Sequence, residues 1–155
     1  MEAGLAALYL VWTRYPKAES FALEAKAIFE RHLAAADSER VNIVTLLGSI
    51  YLEQGRYAEA EPLFRATLAG ATPRMAARAH SELAVTALRQ GRLDEAESLE
   101  RKALEIDRHN GSAATALTAA IHNNLADICL GQNRYVEAEQ HYREAIEIWE
   151  SIMGK

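Results

Sequence analysis

Five histidines in 155 residues raise the question of a metal. His80 and His122 are the pair to consider first, since they stand at matching points of two related segments and would approach each other if those segments stack. A zinc site needs three or four converging ligands, however. The chain has neither an HExxH pattern nor a closely spaced Cys/His set. We therefore read His80 and His122 as buried or half-buried structural histidines, and His32, His109 and His141 as surface residues. Neither a metal nor a cofactor is expected.

Nucleophilic chemistry has no firmer footing. No GxSxG elbow is present, and the lone Cys129 falls on an apolar helical face, where a thiol behaves as a small hydrophobe. The eight glycines stand mostly singly rather than in a phosphate-cradling loop. Carboxylates are plentiful, but their spacing is that of the solvated face of amphipathic helices. The expectation is a protein that is not an enzyme. A single cysteine also excludes an internal disulfide and suits a reducing, cytoplasmic setting.

The residues that remain are polar groups suited to binding. Asn123 and Asn124 each offer a donor and an acceptor, which is what a peptide group in an extended ligand requires. Asn110-Gly111-Ser112 matches a glycosylation sequon, but is read as a turn.

What positions these residues is an internal repeat. "GRYAEAEPLF" at 55–64 returns as "GRLDEAESLE" at 91–100 and "NRYVEAEQHY" at 133–142, with a weaker echo, "TRYPKAESFA", at 13–22. Repeats of this length denote stacked supersecondary units. In residues 41–74, Val44, Leu47, Gly48 and Tyr51 mark one helical face. Gly55 ends that helix, Tyr57, Ala60, Leu63, Phe64 and Leu68 mark a second, and Thr72-Pro73 closes the unit. The same grammar runs through His80, Leu83, Ala84 and Ala87, Gly91, then Leu93, Ala96, Leu99, Ala103 and Leu104. It runs again through His122, Leu125, Ala126 and Cys129, Asn133, then Tyr135, Ala138, Tyr142, Ala145 and Ile146. Leu5, Ala6 and Tyr9 before Tyr15, Ala18 and Ala22 make a degenerate first copy. The prediction is all-α, with four helix–turn–helix repeats at about 1–36, 37–74, 75–110 and 111–155 in a single domain and about eight helices. Ala18, Ala60, Ala96 and Ala138 recur at one point of each second helix, where a small side chain lets two helices approach closely.

"LGSIYLEQGRYAEAEPLF" with the later Pro73 resembles a tetratricopeptide repeat: Leu47, Gly48, Tyr51, Gly55, Tyr57, Ala60 and Phe64 match in order and spacing. "NNLADICLGQNRYVEAEQHYREAIEIWESIMG" is similar to the 42-residue variety of kinesin light chains. The resemblance implies a right-handed α-solenoid, with the first helix of each pair lining a concave groove and the second facing outward. Glu100 departs from the pattern, standing where Phe64 and Tyr142 stand; either its helix rotates so that Leu99 takes the buried place, or the contact there is looser.

Helical spacing nominates the groove residues: Asn42, Thr45, Ser49 and Glu53, then Arg78, Ser81, Glu82 and Arg89, then Asn123, Asn124 and Asp127. The first copy offers only the apolar strip Ala3, Ala7 and Leu10. By resemblance, Asn123 and Asn124 are similar to asparagines that hold a bound peptide's backbone. The carboxylate clamp of the chaperone-binding members is not expected, because Thr45, Ser49, Ser81 and Val85 occupy its places. Half of the residues are apolar and a quarter charged, so the chain can bury a core. A net charge of -5 argues against nucleic acid. "MEAGLAALYLVW" lacks a basic n-region and is too short to span a bilayer, so neither a leader nor a membrane is expected.

The expected function is a non-catalytic scaffold that binds a peptide or partner segment in its groove. The alternative is a regulatory, sensory or self-association segment of a larger protein. Ile146, Ile148, Trp149, Ile152 and Met153 give the last helix more apolar surface than one neighbour can cover, which predicts self-association through that end.

Overall fold

The computed structural model describes residues 15–32, 38–111 and 115–154. Seven helices make up these residues: α1 (Tyr15–His32), α2 (Ser38–Glu53), α3 (Tyr57–Thr67), α4 (Pro73–Arg89), α5 (Leu93–His109), α6 (Ala116–Gly131) and α7 (Tyr135–Met153). No strand occurs among the described residues. The expected helix through Leu5, Ala6 and Tyr9, and the strip Ala3, Ala7 and Leu10, lie outside them.

The repeated decapeptide owes its return to its turn. Gly55, Gly91 and Asn133 each adopt a left-handed φ, of 73°, 74° and 62°. In each turn the following arginine N–H reaches back five residues, to the Tyr51, Ala87 and Cys129 carbonyls at 2.8, 2.9 and 2.8 Å. This double closure of a helix end needs a residue that tolerates positive φ, and asparagine is the best substitute for glycine. The glutamates that follow fall in the first turns of α3, α5 and α7, where negative charge is favoured. Each pairs with the turn arginine: Arg56 with Glu59, Arg92 with Glu95, Arg134 with Glu137. Thr72 caps α4 ahead of Pro73. Thr115 and Thr118 form a reciprocal cap on α6, and the buried Asp107 of α5 accepts from the Thr118 hydroxyl at 2.6 Å.

Two compact units result, Met1–Ala71 and Thr72–Lys155. In the first, α2 packs on both α1 and α3. Ala18, Ala22, Leu47 and Ile50 form its core, flanked by Phe21, Leu46, Tyr51 and Leu63. The Phe64 ring lies so close to Gly48 that a methyl group at that position would meet its edge at 2.7 Å. Full burial of such a ring contributes roughly 1.5–3 kcal/mol. In the second unit α4 pairs with α5, α6 pairs with α7, and α6 also touches both α4 and α5. Ala87, Ala96 and Ile128 form one cluster, and Ala103, Leu104, Ile121 and Leu125 another.

Ala18, Ala60, Ala96 and Ala138 are all buried, as the spacing requires. Cys129 is buried too, and burial pushes its thiol up from the ordinary value. Glu100 differs from both expectations. The helix neither rotates nor loosens; the carboxylate itself fills the apolar slot at 0% exposure while Leu99 is only half-buried. Ile146 departs as well, at 56% exposed, because no described helix covers that side of α7.

Candidate functional site

On α2, positions 42, 45, 49 and 53 recur at helical spacing. Asn42 and Glu53 are exposed. Thr45 and Ser49 use their hydroxyls on their own helix, Thr45 donating to the Val41 carbonyl at 2.8 Å and Ser49 to the Thr45 carbonyl at 3.1 Å. That leaves both oxygens as acceptors only.

In the second unit the nominated residues divide into two sets. Arg78, Arg89, Asn123 and Asp127 are exposed, and Glu82 is half-buried with its carboxylate 3.8 Å from the Arg78 Nε. The Asn123 side chain makes no hydrogen bond among the described residues. Asp127 accepts a hydrogen bond from the Tyr142 hydroxyl, a donation that pushes the phenol up to about 12. Ser81 and Asn124 point the other way, into the protein. Ser81 Oγ donates to Glu100 Oε1 at 2.9 Å and Asn124 Nδ2 to the same oxygen at 2.6 Å. Their polar groups hold Glu100, so the surface set within this unit is Arg78, Glu82, Arg89, Asn123 and Asp127.

Glu100 is strongly perturbed by its burial. Burial raises its carboxyl to about 8 despite the Asn124 and Ser81 hydrogen bonds, with Glu82 adding a small push in the same direction. At neutral pH it is largely protonated. Oε2 has no partner.

Three features stand out, of which the sequence anticipated only the uncovered apolar side of the last helix. The first is a staple between successive repeats. Arg56 reaches Glu19 at 2.8 Å, and Gln54 reaches the same carboxylate at 3.1 Å. In the second unit Arg134 reaches Glu97 at 2.8 Å and Gln132 does so at 3.2 Å. Burial would raise Glu97, but hydrogen bonds from Arg101, Arg134 and Gln132 outweigh it and hold the carboxyl at about 2. The signal was present, since Glu19, Glu61, Glu97 and Glu139 each follow the recurrent alanine. The second feature is the free side of α7. Leu130, Tyr135, Ala138, Glu139, Tyr142, Arg143, Ile146 and Glu147 line an open trough of about 640 Å³. Trp149, Ile152 and Met153 are 41%, 44% and 60% exposed on the same helix. The third concerns the histidines. His122 is buried, as expected, but the ring against it is His141, with centroids 5.3 Å apart, and His141 is only partly a surface residue, its side chain 19% exposed. His80 is buried, its Nδ1 without a hydrogen-bond partner among the described residues, and burial holds it below its ordinary value, with Lys102 acting in the same direction. His109 is exposed; the His32 side chain lies outside the described residues.

The tetratricopeptide-repeat model matches residues 75–151, and a second model of that description matches residues 44–75. The chain belongs to the tetratricopeptide-repeat family. Its fold class is therefore the all-α solenoid of helix–turn–helix repeats, and a general protein-interaction scaffold role comes with the family. Among solved structures, this tetratricopeptide-repeat chain is similar to BtubC (BKLC) from P. vanneervenii, with 28% identity and a TM-score of 0.76 over 90% of this chain and 59% of that one. The apo form of RapI gives a TM-score of 0.82 at 15% identity, over 99% of this chain and 56% of that one. A Podosopora anserina putative kinesin light chain with nearly identical TPR-like repeats gives 0.73 at 19% identity, over 99% and 76%. The chain thus spans less than two thirds of the length of BtubC and of RapI. No curated protein matches the sequence. No described helix is long and apolar enough to cross a membrane.

Proposed function

We propose that this chain is a non-catalytic scaffold that holds an extended peptide or partner segment against the exposed strip of α4 and α6, through Arg78, Glu82, Arg89, Asn123 and Asp127. The observation that carries this reading is Asn123, an exposed amide with no side-chain hydrogen bond among the described residues, on a helix that touches α4. It offers a donor and an acceptor to one peptide group. Ser81 and Asn124 serve from behind, fixing α4, α5 and α6 through Glu100. Charges of both signs on the strip favour a ligand of mixed charge. Asn42, Ser49 and Glu53, beside the buried Thr45, make a second strip on α2, and residues 1–155 act as one binding domain in the cytoplasm without nucleic acid. Pull-down with mass spectrometry tests it, using Arg78→Ala/Asn123→Ala as the paired bait. Prey that is retained equally by both baits contradicts the reading.

The free side of α7 supports a second reading, self-association. Glu19 and Glu97 each receive an arginine from the turn of the following repeat. Glu139 holds the same place on the last helix, is exposed, and pairs with Arg143 of its own helix. In the first sequence repeat, "TRYPKAESFA", Arg14 has the register of Arg56 and Arg134. A second copy could present Arg14 to Glu139 beside the exposed Ile146. Sedimentation of Glu139→Arg, Arg14→Glu and the double exchange tests this. Association lost in each single variant and restored in the double one supports it; three identical sedimentation profiles refute it.

A further inference from the structure

We propose that His122, His141 and Glu144 form a site for a divalent transition-metal ion, zinc by preference, in the last helix pair. His122 stands on α6, and His141 and Glu144 stand one turn apart on α7, the spacing that puts two side chains on one helical face. Their donor atoms converge. His122 Nδ1 lies 2.7 Å from Glu144 Oε2 and 3.2 Å from His141 Nδ1, and His141 Nδ1 lies 3.3 Å from the same Glu144 oxygen.

Proton bookkeeping leaves this triangle poorly satisfied by hydrogen bonds alone. A carboxylate only accepts, and two Nδ1 atoms facing each other need one protonated and one bare. His122 Nδ1 has a single proton to divide between two neighbours. A cation takes all three lone pairs at once. Zinc bonds of about 2.0–2.2 Å at tetrahedral angles hold neighbouring donors about 3.3 Å apart. Two edges of the triangle already have that length, and the third opens by rotation of Glu144, whose side chain is half exposed at 51%.

Burial gives the site its character. The His122 side chain is 4% exposed, His141 19% and Glu144 51%, so the cluster is rooted in the core and open on one side. An ion could enter there, and a water or a bound partner's side chain could supply a fourth ligand. Burial lowers the His122 basicity, Glu144 opposes that shift, and His141 and Arg108 add to it. The Arg108 charge works against a cation, which places the expected affinity below that of a closed four-ligand site.

The preceding repeat supplies a control within the same chain. His80 has the register of His122, but Leu99 and Lys102 occupy the places of His141 and Glu144. The buried histidine is thus common to both repeats, while the three-donor cluster is assembled in the last repeat.

Chelator-treated, tag-free protein is titrated with zinc chloride by calorimetry and with cobalt chloride by visible absorption, alongside thermal melting. The expected result is one saturable equivalent, a tetrahedral-type cobalt spectrum and a higher melting temperature with zinc. His141→Ala and Glu144→Gln, both at partly exposed positions, lower affinity by about tenfold or more, since loss of even an outer-shell partner costs that much. His109→Ala, at an exposed histidine elsewhere, leaves binding unchanged. No saturable binding, or an affinity unchanged in His141→Ala, overturns the proposal, as does binding lost in His109→Ala.

Discussion

Replacing Glu100 by glutamine should abolish a pH dependence that the wild-type protein carries in its second unit. The unfolded carboxyl titrates near 4.5, whereas in the folded chain burial raises it to about 8. Between those values the native state holds a proton that the unfolded state has lost. Stability contributed by the neutral acid is therefore complete below 4.5 and is lost as pH rises toward 8. The slope is about 1.4 kcal/mol per pH unit for one proton, so wild type should lose roughly 2–3 kcal/mol between pH 5.5 and 7.5 through this group. For a chain of this size that is several degrees in melting temperature. Glutamine keeps the acceptor that Ser81 and Asn124 bond but cannot ionise. His80 and His122, whose basicity burial lowers, contribute the opposite slope below their ordinary values, and they are present in both proteins. The difference between the two curves isolates Glu100. Urea titrations followed by circular dichroism from pH 5 to 8.5 measure it. Glu100→Gln should become progressively more stable than wild type as pH rises. Parallel curves would refute the burial argument.

Ala60→Leu overpacks the α2–α3 pair and should cost roughly 1–3 kcal/mol, because Ala60 is fully buried; an unchanged melting temperature would place the repeat register in error. Gly48→Ala drives a methyl into the Phe64 ring and should cost about 1–3 kcal/mol, with Gly48→Ala/Phe64→Leu recovering part of the loss in the same melting experiment. Glu97, held at about 2 by Arg101, Arg134 and Gln132, contributes stability that is present above 4.5 and disappears as pH falls toward 2. Arg134→Ala should therefore move the acid-unfolding midpoint to higher pH.

The turns, the four alanines and the helix pairs were legible because they depend on local requirements: positive φ at Gly55, Gly91 and Asn133, and a small side chain where two helices meet. Contacts between one repeat and the next were not. Glu100 looks like a surface residue until Ser81 and Asn124 are known to close over it, since the hydrophobic pattern of a helix does not register a polar group capped by two others. His122 and His141 are 19 residues apart on different helices, a separation that no short metal motif spans. The same limit divided the nominated strip. Helical spacing found the faces carrying Ser81 and Asn123, but not that the first turns inward and the second outward.

Selection of a displayed random-peptide pool on the wild-type protein and on the Arg78→Ala/Glu82→Ala/Asn123→Ala variant tests the scaffold claim most directly. The account predicts a shared peptide motif enriched on wild type and lost on the variant, with both proteins equally helical. No enrichment on wild type, or the same motif enriched on both, would contradict it.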